Sequence, residues 1–543
     1  MLSKIIEWVM VYRGLVLALA GLLCIGGLIS LWNLPFDAFP DTTPVLVQVN
    51  TTVPGYAADD VEAQVTAMIE RELSGLAGLT EIRSISKFAL SQITCVFEDR
   101  TDIYQARQQI TERLTTVGLP EGVDRPKLGP VSTGLGEIFH YIVVAKGEEP
   151  TLAREVQDWV IKPQLQTVPG VVEVNSWGGF EKQYQVLVDP ERLVALNLTL
   201  SEVIEALSRG QQNVGGGVTN RAGERFVVQG VGALTRREDI EQIVIDTRNG
   251  TPIHLHDIGE VVIGHELRMA AATYNGQGEA VLGLGFMLTG ENSHRVAREL
   301  AKQLENAKKT LPPGIDAHVV YDRTQLVDQI LGTVEHNLIY GALLVIVVLF
   351  AFLGNLRASL IVALAIPLSM LFAFNLMWQA GIVGSLMSLG AIDFGLAVDN
   401  AVIQIENVTR RLSHTSDGRS RLQVIRDAIL EVRKPTMFGE LIIMLVYLPI
   451  LTLQGVEGKL FRPMALTVIL VLGGSMLLSF TVIPALAASF MPKKPKEREP
   501  RAVEWMKKIY QPALEWALRH RKTVLVSALI LILAAGLLFT RLG

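Results

Sequence analysis

Three carboxylates lie in one mostly apolar stretch of the chain, GAIDFGLAVDNAVIQIEN, residues 390–407. Asp399 and Glu406 are seven residues apart, which places them about 20° apart around an α-helix, and Asp393 lies roughly 120 to 140° from both. An ionised side chain near the centre of a bilayer costs about 2.5 to 3.5 kcal/mol or more. Burial favours the neutral form of a carboxylate. The pattern therefore indicates acids that bind and release protons along one inward-facing groove.

These acids are also compatible with two simpler structural roles. Glu406 is followed closely by Asn407, Thr409 and Arg410, so it can simply face water at a helix end, whereas Asp399 has apolar neighbours on both sides. The acids can also form an internal ion pair that only holds helices together. No lysine or arginine lies within the other apolar spans as we assign them, so such a partner would have to come from outside the membrane part of this chain.

Apolar stretches must position these acids, and most are near the ~20 residues that a bilayer core requires. The stretches are residues 14–32, 338–353, 358–378, 386–405, 435–453, 465–491 and 523–539. The first is too long for a signal-peptide core and lacks a small-residue cleavage site, which favours a retained signal anchor. We therefore expect seven transmembrane helices, with the acids in the fourth.

Basic residues predict the orientation of these helices. Lysines and arginines concentrate in two segments that we assign to loops, and Arg357 lies in a third. The first segment carries Arg410, Arg411, Arg419, Arg421, Arg426, Arg433 and Lys434, and the second, residues 492–522, carries ten more. We expect these loops on the cytoplasmic side of the membrane. The large segment between the first two spans then faces outward.

That large segment alternates strand and helix patterns. PVLVQVNTTV predicts a strand, AADDVEAQVTAMIERELSGL a helix, TEIRSIS and LSQITCVFE two strands, and DIYQARQQITERL a second helix. The stretch 78–99, GLTEIRSISKFALSQITCVFED, matches 170–189, GVVEVNSWGGFEKQYQVLVD, in its order of glycine, strand, connector and strand. This indicates a duplicated split βαβ, or ferredoxin-like, unit. The glycine-rich stretch 213–230 predicts a long hairpin.

Composition and motifs restrict the function class. The formal net charge is −5, so nothing indicates nucleic acid. Cys24 and Cys95 cannot form a disulfide framework. We find no nucleotide-binding loop and no nucleophile motif, and we expect no enzyme, no cofactor and no ATP-driven step. The stretch TPIHLHD puts His254 and His256 on one predicted strand face, where a solvent-exposed strand is favoured over a metal pair.

The whole chain resembles the N-terminal half of a resistance–nodulation–division (RND) transporter of the heavy-metal efflux subfamily, such as the cobalt–zinc–cadmium resistance pumps. The resemblance is carried by LPFDAFPDTTPVLVQVNT, PGY, GPVSTGLGEI, VYDRTQLVD, FLGNLRASLIVALAIPLSML and SLGAIDFGLAVDNAVIQIENVTRRL. It implies an α+β membrane protein. Seven transmembrane helices would carry a large periplasmic insert of ferredoxin-like split βαβ porter subdomains plus a docking subdomain.

The resemblance also implies a mechanism. Asp393, Asp399 and Glu406 match the family's proton-relay acids, with Asp399 as principal carrier, and the transported species would be protons and a metal cation. Asp393 within DFG resembles pumps for divalent zinc, cobalt, cadmium or nickel. The chain departs from the common divalent pattern at Asn400, where glycine is usual, and at Gln404, where an apolar residue is usual. Glu137 matches a region that contributes a periplasmic metal ligand in relatives.

The family architecture implies domain boundaries for this chain. They are residues 1–33 for the first transmembrane helix, 34–128 for the first porter subdomain, 129–178 with 272–330 for the second, 179–271 for the docking subdomain, 331–491 for helices two to six, 492–522 for a cytoplasmic basic loop and 523–543 for helix seven. The expected partners are the membrane, a C-terminal half, a homotrimer, a periplasmic adaptor and an outer-membrane channel. We do not expect this half to pump alone.

Three competing functions remain beside a proton-driven metal pump. An RND exporter of organic or amphipathic compounds is weaker because of the DFG acid pattern. An intramembrane aspartyl protease requires two aspartates that face each other across two helices, whereas these acids lie on one helix. A non-transporting remnant is kept open by the odd number of spans.

Overall fold

The structure is a computed structural model of the chain. It describes residues 2–541 except 38–39, 146–149, 211–212, 233, 235, 249, 267–270, 277, 391–393, 415–418 and 493–500. The chain divides into two compact units. The first consists of Met1–Gly129 with Thr324–Gly543, and the second is Pro130–Arg323.

The first unit begins with two helices and a four-stranded sheet. In chain order its elements are α1 (Leu2–Val11), α2 (Arg13–Asn33), β1 (Phe36–Asp37), β2 (Val45–Thr52), α3 (Ala58–Val61), a π-helical turn (Glu62–Thr66), α4 (Ala67–Leu73), β3 (Leu79–Lys87), β4 (Leu90–Phe97), α5 (Ile103–Leu114) and β5 (Lys127–Leu128). The strand order is β3-β4-β2-β5. Alternate residues of β2 and β4 face the helices, with Val47, Val49 and Cys95 buried. The Asp102 side chain caps α5 by accepting the Gln105 N–H at 2.9 Å.

The second unit starts with the elements of another such sheet. They are β6 (Glu137–Ala145), α6 (Pro150–Val156), a π-helical turn (Gln157–Ile161), α7 (Lys162–Gln166) and β7 (Val171–Trp177). The chain then leaves this sheet for about a hundred residues. The elements of this excursion are β8 (Lys182–Val188), α8 (Pro190–Ala195), α9 (Leu200–Gly210), β9 (Val214–Arg221), β10 (Glu224–Gly230), α10 (Arg237–Glu241), β11 (Val244–Arg248), β12 (Thr251–His254), α11 (Leu255–Ile258) and β13 (Gly259–His265).

The predicted glycine-rich hairpin is confirmed. Strands β9 and β10 pair antiparallel, and Glu224 lies opposite Arg221. The two residues between them, Ala222 and Gly223, have φ of 55° and 84°. Two-residue hairpin turns of this kind need positive φ at both positions, which glycine adopts without a steric penalty.

The chain returns to the second sheet through β14 (Ala272–Thr273), β15 (Glu279–Met287), α12 (Ser293–Lys308) and β16 (Ile315–Asp322). Strand β15 pairs with β7 on one side and β6 on the other, and β16 pairs with β6. The order β7-β15-β6-β16 has the topology of β3-β4-β2-β5, so the repeated split βαβ topology is confirmed. The match of stretch 182–188 to β4 is wrong, because β8 pairs with β13. Strand β15 holds the position of β4.

The remaining elements of the first unit are mostly long apolar helices. They are α13 (Arg323–Leu353), α14 (Leu356–Ala363), α15 (Ala365–Gln379), β17 (Gly384–Ser385), α16 (Leu386–Gly390), α17 (Phe394–His414), α18 (Arg421–Tyr447), a 3₁₀ turn (Leu448–Thr452), α19 (Gly455–Phe480), α20 (Val482–Phe490), α21 (Arg501–Arg519) and α22 (Arg521–Phe539). Within the described part of the chain, five helical segments are long and apolar enough to cross a membrane, and 339–353 is a shorter apolar helix. A total of seven spans stays a prediction.

The assignment of one basic segment to a loop is wrong. Helix α17 continues to His414 and α18 already begins at Arg421, so most of these arginines lie on helices. Arg433 is deepest in the fold, with 1% of its surface exposed. The apolar stretch 435–453 itself contains no basic residue, but helix α18 extends beyond it and includes Arg433. Part of the second basic segment, 501–519, forms α21.

Candidate functional site

Helix α17 carries the predicted acids and packs against α14, α15, α18 and α19. Val398, Ala401, Ile405 and Val408 are buried in this packing. Their spacing of three and four residues follows the helical repeat and fixes which side of α17 faces the rest of the bundle.

The exposed side of α17 carries Asp399 and Glu406. Ile403, between them on the same side, is 41% exposed. The structure therefore brings these two acids onto one stripe, as their seven-residue spacing predicts. Asp393 lies outside the described residues. In this chain the stripe is open, so it can receive another helix surface or water.

A neighbouring side of α17, about 100° around the helix from the two acids, carries polar side chains that are buried. Asn400, Gln404 and Asn407 are 5%, 0% and 4% exposed. The Asn400 side-chain N–H donates to the carboxylate of Glu440 on α18. Asn407 Nδ2 donates to the carbonyl of Ala428 at 2.7 Å and to Glu431 Oε2 at 3.0 Å. The buried amides of this helix thus have partners on α18.

Arg433 on α18 belongs to the same buried region. Its guanidinium lies over the Phe480 ring, 3.4 Å from the ring centroid, and its Nη2 is 3.4 Å from the carbonyl oxygen of Met476. A guanidinium over an aromatic face is attracted by the ring quadrupole. Sequence reasoning missed Arg433 and Glu440 because Arg433 was assigned to a basic loop and Glu440 was absorbed into the hydropathy of a span. Glu440 inside the apolar stretch 435–453 was the available signal.

Glu137, the predicted metal ligand, starts β6 in the second unit. Its Oε1 lies 2.8 Å from His140 Nε2, and the His140 ring packs on Tyr321 with ring centroids 4.9 Å apart. Glu173 on β7 lies opposite the same β15 residue, Phe286, as Glu137 does. Carboxylate and imidazole are suitable ligands for divalent transition metals. No group of three or more such ligands is assembled among the described residues, so this pair alone is an incomplete metal site.

The weaker histidine pair is arranged differently from the prediction. His254 ends β12, whereas His256 lies on α11, so the two are not on one strand face. Their rings are stacked with centroids 5.3 Å apart. Each Nδ1 lies near a backbone carbonyl oxygen, that of Gln242 at 2.8 Å and that of Glu241 at 3.1 Å. These contacts hold the rings against the neighbouring turn.

Comparison with known proteins places this arrangement among transporters. Residues 5–543 match the model of the AcrB/AcrD/AcrF family. The chain is 46% identical to the cation efflux system protein CzcA of Alcaligenes sp. (strain CT14), covering 100% of this chain and 53% of the relative. It is also 46% identical to the cobalt-zinc-cadmium resistance protein CzcA of Cupriavidus metallidurans, with the same coverage.

A solved structure shares the fold. The crystal structure of a heavy metal efflux pump, crystal form II, superposes with a TM-score of 0.88 at 34% identity, covering 98% of this chain and 52% of that chain. The resemblance to heavy-metal RND transporters is therefore confirmed. The chain spans about half the length of the curated relatives it matches.

Proposed function

The chain belongs to the AcrB/AcrD/AcrF family, and we propose that it is the N-terminal half of an inner-membrane, proton-driven efflux pump for heavy-metal cations. The cargo we propose is divalent, namely zinc, cobalt, cadmium or nickel, in exchange for protons. A homotrimer, a periplasmic adaptor and an outer-membrane channel would complete the assembly. The names of the similar cobalt-zinc-cadmium resistance proteins support the cargo class.

One observation carries this proposal. Asp399 and Glu406 share the exposed stripe of α17 while residues on either side of them are buried. An exposed carboxylate stripe in the middle of a helix bundle is costly against lipid. It suits a hydrated groove or the surface of a second half, where a neighbouring cation can come and go. Asp399 would then carry the proton, with Asp393 and Glu406 as partners.

The energy available to such a step is adequate. Moving one elementary charge through 100 mV yields about 2.3 kcal/mol. A carboxylate that is protonated on one side of the membrane and deprotonated on the other converts this energy into a change of helix position. The second unit would use that change to release the cation.

Glu137 and His140 supply the proposed first contact with the cation. Their 2.8 Å separation lets both side chains face one ion once the imidazole is neutral. The remaining ligands would come from other parts of the assembled pump.

The test is metal tolerance in a bacterium that lacks its own metal pumps. This chain is expressed with the downstream half, in unmodified form, as Asp399→Asn, and as the control Glu457→Gln, an exposed acid at the start of α19. We expect rescue for one or more of the four metals, loss of rescue with Asp399→Asn, and retained rescue with Glu457→Gln. Absence of rescue with both halves present in the membrane contradicts the metal pump and favours organic cargo or a remnant.

A further inference from the structure

A column of buried polar side chains lies among α17, α18 and α19, about 100° around α17 from the exposed acids. Three of its members, Gln404, Arg433 and Glu440, are 0%, 1% and 4% exposed. Each has buried polar atoms that make no hydrogen bond with the described part of the protein. These atoms are both side-chain heteroatoms of Gln404, Nε and Nη1 of Arg433 and Oε1 of Glu440.

The register of the helices orders this column. Asn400 contacts Glu440, and seven residues later Asn407 contacts Glu431, so α17 and α18 run antiparallel. Gln404 lies between Asn400 and Asn407 and is therefore level with the turn of α18 between Arg433 and Glu440. The column thus alternates amide, carboxylate, amide and guanidinium over about two helical turns, or roughly 10 Å.

A buried polar atom without a hydrogen-bond partner lowers the stability of the fold. Buried polar groups in proteins are nearly all hydrogen-bonded to protein or to ordered water. Water molecules bridge groups of this kind when two to four polar atoms surround them. Gln404 offers both a donor and an acceptor, Arg433 offers donors, and Glu440 offers an acceptor, so the column can hold bridging water along its length.

We propose that this column is a second proton-binding site, in which water bridges Gln404, Arg433 and Glu440, and Glu440 takes up and releases one proton. The proton comes from hydronium or water and returns to water, and the only bond that forms and breaks is the carboxyl O–H. Asn400 positions the carboxylate by donating to its other oxygen. A role in transport rests on the proposed pump, whereas proton binding itself is independent of it.

The charged groups near Glu440 are few. Arg433 lies on its own helix, and Asp399 lies on α17 next to Asn400. The titratable residues of α19, namely Glu457, Lys459 and Arg462, all lie in its first eight positions, remote from the Ser475 side chain that approaches Glu440. Helix α20 has none, and those of α1, Lys4 and Glu7, lie beyond the end of the column. Among the residues that the structure describes, one cation and one acid therefore lie near the carboxyl group of Glu440 as it exchanges its proton.

Infrared difference spectroscopy tests the proposal on the full chain in lipid nanodiscs. Protonated carboxyl groups give C=O bands that appear and vanish as pH is changed. We expect one titrating band to be lost in Glu440→Gln and kept in Asp399→Asn. In Gln404→Leu, hydrogen–deuterium exchange of that band should slow by about fivefold or more, the size expected for loss of one bridging hydrogen bond. The matched control, Gln379→Leu, changes an exposed glutamine of α15 and should leave the exchange rate unchanged.

A second measurement needs no variant. Dicyclohexylcarbodiimide labels protonated carboxyl groups in apolar surroundings, and we expect mass spectrometry to find the label on Glu440 of the unmodified chain at mildly acidic pH and to lose it at alkaline pH. A Glu440 peptide without label, or a band that survives in Glu440→Gln, overturns the proposal. Equal hydrogen–deuterium exchange rates of the carboxyl band in Gln404→Leu and Gln379→Leu also overturn it. Failure of metal rescue leaves these readouts unaffected, so the two proposals fail separately.

Discussion

The two polar sides of α17 differ in what surrounds them. On one side Asp399 and Glu406 are exposed, with a stripe of surface open beside them. On the other side Asn400, Gln404 and Asn407 are buried against α18 and α19. The first side is available to a second protein surface or to water. The second packs against other helices of this chain, so it contributes to the stability of this half in a way that the exposed acids do not.

The strongest test of this contrast is the removal of the buried cation. Arg433→Met should lower the free energy of unfolding by about 2 to 3 kcal/mol, because it removes the buried guanidinium that lies over Phe480 and contacts the Met476 carbonyl. Arg411→Met is the matched control. Arg411 is exposed and pairs with Glu431 at 2.8 Å, so its loss should lower the free energy of unfolding far less, because solvent screens an exposed ion pair. Unfolding in detergent followed by circular dichroism measures both, and equal losses would break the contrast.

A smaller effect is expected from the amide on the buried side. Asn400→Leu removes the side-chain donor to Glu440 and should cost about 1 to 3 kcal/mol, the usual penalty for an unsatisfied buried acceptor. Glu406→Gln, one helical face away, should change stability by no more than about 0.5 kcal/mol. Unfolding in detergent followed by circular dichroism compares the stability of the two variants. A larger cost for Glu406→Gln than for Asn400→Leu would show that the exposed stripe is packed after all.

The smallest effect extends the contrast to the first sheet. On β4, Cys95 is fully buried and its neighbour Thr94 is only half-buried. Burial, and then the nearby Glu70 carboxylate, raises the pKa of Cys95 from 9.0 to about 11. The buried thiol therefore stabilises the fold fully below pH 9, and this contribution is lost as pH rises through about 11.

Between about pH 8 and pH 10 the free energy of unfolding of the unmodified chain should fall by about 1 kcal/mol more than that of Cys95→Ala, which has no thiol to titrate. Chemical denaturation of the two chains at about pH 8 and pH 10 checks the difference. If the free energies of unfolding of the two chains change equally between these pH values, the Cys95 thiol is accessible to water and the prediction is wrong.

Sequence patterns predicted much of the fold and less of the site. The strand 45–52, the helix 103–114 and the hairpin 214–230 follow from alternation, a helix cap and a glycine turn, all of which are local. The strand that completes the second sheet was missed, because β15 pairs with strands that lie more than a hundred residues earlier in the chain. Nothing in a local pattern specifies such a partner.

The site shows the same limit. Spacing alone placed Asp399 and Glu406 on one side of a helix. It did not show that Asn400 and Gln404, the two departures from the common divalent pattern, are buried, or that Asn400 donates to Glu440. That information depends on how α17 and α18 pack, and Arg433 was misassigned because a long helix continues through what composition alone marks as a loop.

The excursion inserted between β7 and β15 also affects how the protein is made. In the first sheet Val45 on β2 pairs with Phe97 on β4, whereas in the second Val143 on β6 pairs with Val281 on β15, the strand in the equivalent position. Closing a loop roughly three times as long costs about 1 kcal/mol more in chain entropy, and non-local pairing slows folding. During synthesis the first sheet can form as soon as its own strands have emerged. The second must keep β6 unpaired until the excursion has emerged, which makes this strand the part of the nascent chain most in need of a chaperone.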